Sequence, residues 1–475
     1  MTDTSTDQFA ATRMSSGDPA LDGVLGGGIR VNSIALIAGE PGSGKTLLAQ
    51  QYAFTNATVD RPALYLTTVS EPFDKLISYG QDLAFFAVAD VGRRVHYHDA
   101  GTMLHERGLP GLLDLLDSLL VTQHPGLLVI DSFKALQPFA TSEGEYRRFL
   151  HDLAGRLSAF AVTSLWVGEY LPESVGAEPE FAVVDAILQL TITRQAERTM
   201  RLLEVRKLRG SSFSPGQHSY RLSHRGLQVF PRLADRDQLP TADTPLPDGH
   251  KVSSGVHDLD AMLDGGYWPG STTLVAGPAG SGKTVLGLRF CLAGTERGAP
   301  ALIASFQEPA PALRRTAAGL GWAWPEQLHV LHRVPVDLYA DEWAHELLGL
   351  VSRTSARRLV VDSLGDLRLA VLDEPRFREL LFSLARRLTA EGVTTVFTLE
   401  VPQLFGITHL SDIAVSHLSD NVVLLQYLRG ESRLKRALTV LKSRASHHHP
   451  DIRQFDIGPD GLHVDHPFDT DQNLR

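Results

Sequence analysis

Residues 26–54 read GGGIRVNSIALIAGEPGSGKTLLAQQYAF, and the fold class follows from them. The apolar run at 33–38 has the length of a buried strand. A glycine-rich loop follows, and a helix is expected to begin near Lys45. The loop from Gly39 to Thr46 fits G-x-x-x-x-G-K-S/T. Gly39, Pro41, Gly42, Ser43 and Gly44 form its curl. Gly42 and Gly44 let the backbone turn its N–H groups toward an anion. The helix behind the loop presents its positive end to the same place. Lys45 would reach terminal phosphates, and Thr46 would offer a hydroxyl to Mg²⁺.

The unit recurs. Residues 265–292 read GGYWPGSTTLVAGPAGSGKTVLGLRFCL, with a strand at 272–276 and a helix from about Lys283. Gly277, Gly280, Ser281, Gly282, Lys283 and Thr284 stand where the first loop has its own set. Three more stretches repeat in order: ALYLTTVSEP (63–72) with ALIASFQEP (301–309), GLLVIDSF (126–133) with RLVVDSL (358–364), and 186–210 with 421–445. Such a series indicates a duplicated domain. The expected units span 15–232 and 252–463, joined by a proline-bearing linker at 233–251. Residues 1–14 and the acidic tail 464–475 are expected to be disordered. Strands alternating with helical patterns imply an α/β fold, with mainly parallel sheets flanked by helices.

Composition sets outer limits. The chain has 475 residues, 43% hydrophobic and 21% charged, which suits a large globular core. Its formal net charge of −10 argues against broad nucleic-acid binding. No apolar run approaches the roughly 18 residues that span a bilayer. No signal-peptide pattern opens the chain. One cysteine, Cys291, excludes an internal disulfide and is expected to be a small buried apolar residue. A cytoplasmic location fits.

Each half also supplies acids. The strands GLLVID and RLVVD end on Asp131 and Asp362, each followed by a serine. An aspartate at the carboxyl end of a buried strand beside such a loop suits the Walker B role of holding the Mg²⁺ shell. ATP hydrolysis also needs a base or a group that orients water. Glu71 and Glu308, at the end of the strand after the loop helix, are the candidates. His447, His448 and His449 sit before Pro450 and read as a solvated loop rather than a metal site, since no zinc-ligand spacing accompanies them.

The duplicated loops, the aspartate–serine pairs and the motifs VRKLRG and VLKSRA resemble the KaiC-like circadian-clock ATPases of the RecA superfamily, over nearly the whole chain. The resemblance implies two tandem RecA-like ATPase domains. It also implies a hexameric double ring with ATP between neighbouring subunits, and a regulatory protein partner. Lys207, Arg209, Lys442 and Arg444 would then reach a neighbour's nucleotide, and Arg201 and Arg436 would be trans-acting arginines. Two departures stand out. The family's paired glutamates read Ser70-Glu71 and Gln307-Glu308 here, so turnover should be slow and Gln307 would only orient water. The family's adjacent Ser-Thr phosphorylation sites read Ser416-His417, which leaves Ser416 as the one acceptor for autophosphorylation. A nucleotide-binding switch with little hydrolysis is the second reading. A RecA-type DNA recombinase or helicase motor is the third, opposed by the negative charge.

Overall fold

The computed structural model describes residues 13–68, 73–171, 178–195, 198–235, 250–401, 418–429, 434–458 and 461–467. Two compact units divide the chain, 1–235 and 236–475.

The first unit is built on nine strands: β1 (Ile34–Gly39), β2 (Ala63–Thr67), β3 (Val95–Asp99), β4 (Leu127–Asp131), β5 (Thr163–Glu169), β6 (Ala186–Gln195), β7 (Arg198–Leu208), β8 (Gln217–Ser223) and β9 (Gly226–Phe230). Across the sheet they run β9-β8-β7-β6-β1-β5-β4-β2-β3. The six strands from β6 to β3 are parallel, and β7, β8 and β9 extend the sheet by antiparallel hairpins. The second unit has β10 (Thr272–Gly277), β11 (Ala301–Ser305), β12 (Leu328–His332), β13 (Arg358–Asp362), β14 (Thr394–Glu400), β15 (Asn421–Arg429), β16 (Leu434–Ser443), β17 (Arg453–Gly458) and β18 (Gly461–Pro467). Their order, β18-β17-β16-β15-β10-β14-β13-β11-β12, is that of the first unit position for position.

The reason the loop-bearing strand reads as an unbroken apolar run is its place at the sheet centre. Ala35 and Ile37 face one core and Leu36 and Ala38 the other, all fully buried. A strand covered on both faces needs no polar alternation. The helix after each loop, α1 (Lys45–Asn56) or α2 (Lys283–Thr295), starts at a left-handed glycine, Gly44 or Gly282. In α1, Leu48, Ala49, Tyr52 and Ala53 then pack onto the sheet. Each large side chain so buried contributes about 1.5–3 kcal/mol, and the packing pins the loop to the sheet.

Three readings change. Arg13–Met14 is a short strand paired with Ile29–Arg30, so order begins inside the stretch expected to be disordered. Residues 464–467 belong to β18, paired with β17, and are not a loose tail. A single 3₁₀ turn, Leu233–Asp235, extends the first unit into the expected linker. Cys291 is fully buried as expected, and burial pushes its thiol up to about 12. Among the described residues, no helix is long and apolar enough to cross a membrane.

Candidate nucleotide sites

Both loops close the same way. Gly42 and Gly44 have φ of +75° and +92°, and Gly280 and Gly282 have +72° and +104°. These are left-handed values that a side chain tolerates poorly. The loops are also crowded from outside, since a Cβ on Gly44 would meet Leu222 at 2.8 Å and one on Gly282 would meet Ile457 at 2.6 Å. Gly39 and Gly277 lie so close to Leu190 and Leu425 of the neighbouring strands that neither has room for a side chain. Ser43 and Ser281 are buried within their loops, with hydroxyls that have no hydrogen-bond partner among the described residues.

Lys45 and Lys283 fold back over the loops. Lys45 Nζ donates to the Glu40 carbonyl at 2.8 Å, and Lys283 Nζ to those of Gly277 and Pro278 at 2.9 and 2.8 Å. Burial lowers both ammonium pKa values. Glu169, Asp131 and Glu40 oppose the shift at Lys45, and Glu400 and Asp362 oppose it at Lys283. Backbone carbonyls are weak partners for a buried cation. An incoming anion would displace them.

The aspartates lie where the repeat puts them. Thr46 Oγ1 donates to Asp131 Oδ2 at 2.8 Å, and Thr284 Oγ1 to Asp362 Oδ2 at 2.7 Å. A hydroxyl and a carboxylate at one spot suit a hard divalent cation. A cavity of about 540 Å³ opens over the first loop, bordered by Gly42, Lys45, Thr46, Asp131, Glu169 and Leu222. That volume accommodates a nucleotide. The donor set fits ATP with Mg²⁺: ammonium and loop amides for phosphate oxygens, and the hydroxyl–carboxylate pair for the cation.

The remaining candidates separate. The Glu308 carboxyl is raised from its ordinary value, first by burial and then by the charge of Asp362, against a small pull from Arg315. Gln307 instead turns to the helix Leu364–Arg368, where its Nε2 donates to both oxygens of Asp366 at 3.1 Å. Ser363 donates to the same carboxylate at 2.7 Å. Ser70, Glu71, Ser416 and His417 lie outside the described residues.

Lys207 and Lys442 are far from their own loops. Lys207 pairs with Ile187, and Ile187 in turn with Leu36, three residues before the loop begins. Its Nζ donates to the Phe181 carbonyl at 2.9 Å, while Arg209 meets Asp185 at 3.4 Å. Lys442 Nζ donates to the Ser419 carbonyl at 2.6 Å, and Arg444 meets Asp420 at 3.6 Å. Burial lowers both lysine pKa values, the neighbouring arginine adds to the drop, and Asp185 or Asp420 counters it. Arg201 and Arg436 stand at the other end of the same strands, level with their own loops. Arg436 lies over the Tyr427 ring at 6.0 Å, and the Tyr427 hydroxyl would be 3.1 Å from a Cβ on Gly280. Arg436 thus lies beside the loop of its own chain. His447 and His449 are exposed, and the described residues contain no group of three or more side chains fit to hold a metal ion.

The sequence reading missed Glu169 and Glu400, which end β5 and β14 and act on the loop lysines. TSLWVGE and TTVFTLE are a further repeated element, and its shared final glutamate is the signal. It also missed two hydroxyls on the aspartates. The Tyr65 phenol donates to Asp131 Oδ2 at 2.8 Å, and Thr398 donates to Asp362 Oδ1.

A central parallel strand leading into such a loop, with an aspartate at the tip of a nearby strand and the whole array present twice, defines a tandem RecA-like P-loop ATPase. Comparison with known families narrows this. The KaiC ATPase domain model matches residues 14–234 and again 252–468, and the chain belongs to the KaiC family. Among curated relatives, the circadian clock oscillator protein KaiC 1 of Synechocystis sp. is 28% identical, over 94% of this chain and 88% of that protein. KaiC of Picosynechococcus sp. shows the same identity and coverage. The circadian clock protein KaiC3 of Synechocystis sp. is 26% identical, over 96% of this chain and 92% of its own length.

Proposed function

We propose that this protein is a slow, ring-forming ATPase that binds ATP with Mg²⁺ at both loops and passes its nucleotide state to a partner protein. The observation that carries the reading is the pairing, in both halves, of a buried loop lysine with a threonine–aspartate couple at 2.7–2.8 Å. Bound Mg²⁺ would neutralise phosphate charge and activate the terminal phosphoryl group for attack. The chain's own groups would do the rest. Lys45 and Lys283 would bind terminal phosphate oxygens. Asp131 and Asp362 would hold the cation's shell. Glu308 would accept a proton from the attacking water in the second site, and Glu71 in the first.

Slow turnover is supported by Gln307, whose amide is held by Asp366 where relatives by resemblance carry an acid. The hexamer is supported by Lys207 and Lys442, which lie too far along their strands to serve their own loops. A regulatory rather than metabolic role is supported by relatives named as circadian clock proteins. The test is ATP turnover measured with phosphate incorporation in the unmutated protein, Lys45→Ala and Lys283→Ala, alongside its mass in ATP. Turnover above background that falls with each substitution, on a particle of six chains, is expected. Background turnover in the unmutated protein refutes the enzyme, and monomers in ATP refute the ring. Label retained on the protein and lost in Ser416→Ala would add autophosphorylation.

A further inference from the structure

The two Walker aspartates are held differently. Tyr65 on β2 pairs with Val129 on β4, so its ring and the Asp131 carboxylate two residues on share one face of the sheet. The ring is fully buried in the core that also holds Val129, Leu48 and Ala49, and Tyr97 packs against it at 5.1 Å. Its hydroxyl converges with that of Thr46 on a single oxygen, Asp131 Oδ2, at 2.8 Å each. In the second unit the matching position is Ile303, which pairs with Val360 and has no hydroxyl. Asp362 is met instead by Thr398, from the strand on the other flank and on the other oxygen. The first unit has Val167 at the position of Thr398. Tyr65 and Thr398 thus bring an extra hydroxyl to the two aspartates from opposite sides.

We propose that Tyr65 is a positioning residue for the divalent cation of the first site, setting the Asp131 carboxylate against Thr46 through a phenol that the second site lacks. This rests on the reading of Asp131 and Thr46 as the cation's seat. A carboxylate that must turn before it meets a cation loses affinity to the cost of ordering. A buried phenol locked by packing removes that freedom in advance. The aspartate is then set by a rigid aromatic in one site and by a short hydroxyl in the other, so the two sites respond differently to scarce metal.

The test uses the full chain carrying Lys283→Ala, with Mn²⁺ as the probe and a non-hydrolysable ATP analogue bound. Uptake is followed by the loss of the free-ion paramagnetic signal. Tyr65→Phe removes only the hydroxyl and leaves the ring to pack. Mn²⁺ affinity should fall about tenfold, the low end for the outer partner of a ligating carboxylate. Analogue affinity in chelator and the melting temperature should not change. Thr398→Val in the same background should leave Mn²⁺ affinity alone, and in a Lys45→Ala background should lower it. Unchanged Mn²⁺ affinity in Tyr65→Phe overturns the inference, as does an equal loss of metal-free analogue binding, which would make the phenol merely structural. If the parent takes up no analogue-dependent Mn²⁺, the reading of the site falls and the inference with it.

Discussion

Gln307→Glu places a carboxylate where the family resemblance expects one, but the structure puts another carboxylate in its way. The Gln307 amide nitrogen lies 3.1 Å from both oxygens of Asp366. Two unit charges at that separation repel by about 1 kcal/mol with water-like screening and about 5 kcal/mol at an effective dielectric of 20. Gln307 is exposed, which favours the lower end, so about 1–2 kcal/mol is the working figure. The new side chain should therefore swing away from Asp366 and gain little catalytically. Asp366→Asn removes the opposing charge and supplies an amide that can donate to Glu at 307. In a Lys45→Ala background, where only the second site is read, the gain in turnover from Gln307→Glu should be about fivefold or more larger with Asp366→Asn than without it, the rate equivalent of about 1 kcal/mol of coupling. Phosphate release across the four-member cycle measures it. The same gain in both backgrounds refutes the electrostatic argument. No gain in either removes position 307 from the chemistry.

Glu308 should give second-site turnover an acid limb above the ordinary carboxylate range, because burial and Asp362 raise its pKa and protonation then disables the base as pH falls. The same raised value means ionisation costs the folded, nucleotide-free protein stability as pH rises, so Glu308→Gln should lift the melting temperature at pH 8 and not at acid pH. Calorimetry at both pH values checks the sign. Gly44→Ala should abolish nucleotide uptake at the first loop and destabilise by about 1–2 kcal/mol, from the positive φ and the clash with Leu222. Retained binding in a fluorescent-nucleotide titration would contradict the loop geometry. Lys207→Ala chains and Lys45→Ala chains, each also bearing Lys283→Ala, should be inactive alone and regain first-site turnover when mixed. No recovery on mixing rules out Lys207 acting in trans.

What the sequence made legible was what local chemistry dictates. Glycines at fixed spacing force the loop, and a doubly covered strand must read as continuous apolar residues. Helices α1 and α2 therefore begin at Lys45 and Lys283, where they were expected. The matched order of elements also carried through, since two copies of one pattern have one topology. The less legible features join residues distant in sequence. Gln307 and Asp366 are 59 positions apart, and Tyr65 and Asp131 are 66 apart. Tyr65 reads from sequence as one more strand aromatic. Only the register of β2 on β4 turns it toward the aspartate. Thr398 and Val167 differ by a single hydroxyl that no periodicity reveals. The inner edges of the terminal stretches were misread because short polar segments look disordered until a partner strand is known, as with Arg13–Met14 against Ile29–Arg30.

The direction of the strands separates the basic residues Lys207 and Lys442 from the loops of their own chain. The parallel strands deliver the loop, the aspartate and Glu169 to their carboxyl ends. The antiparallel β7 carries Lys207 and Arg209 back toward the amino ends. Lys207 is level with Leu36, so it stands about 10 Å down the sheet from Gly39 and about 10 Å across it, beyond the reach of a lysine whose Nζ is already on the Phe181 carbonyl. The second unit repeats the separation, with Lys442 level with Leu274 and tied to the Ser419 carbonyl. A lysine kept only for folding would have little reason to recur with its arginine two residues on, half-buried and held by a main-chain oxygen in both copies. A cation held by a carbonyl is available to a stronger acceptor, and the phosphates of another chain are such an acceptor. On the proposed reading, each chain would keep the loop lysine and the aspartate of its own sites and would lend Lys207 and Lys442 to a neighbour's, a head-to-tail relation that a closed ring satisfies for every subunit.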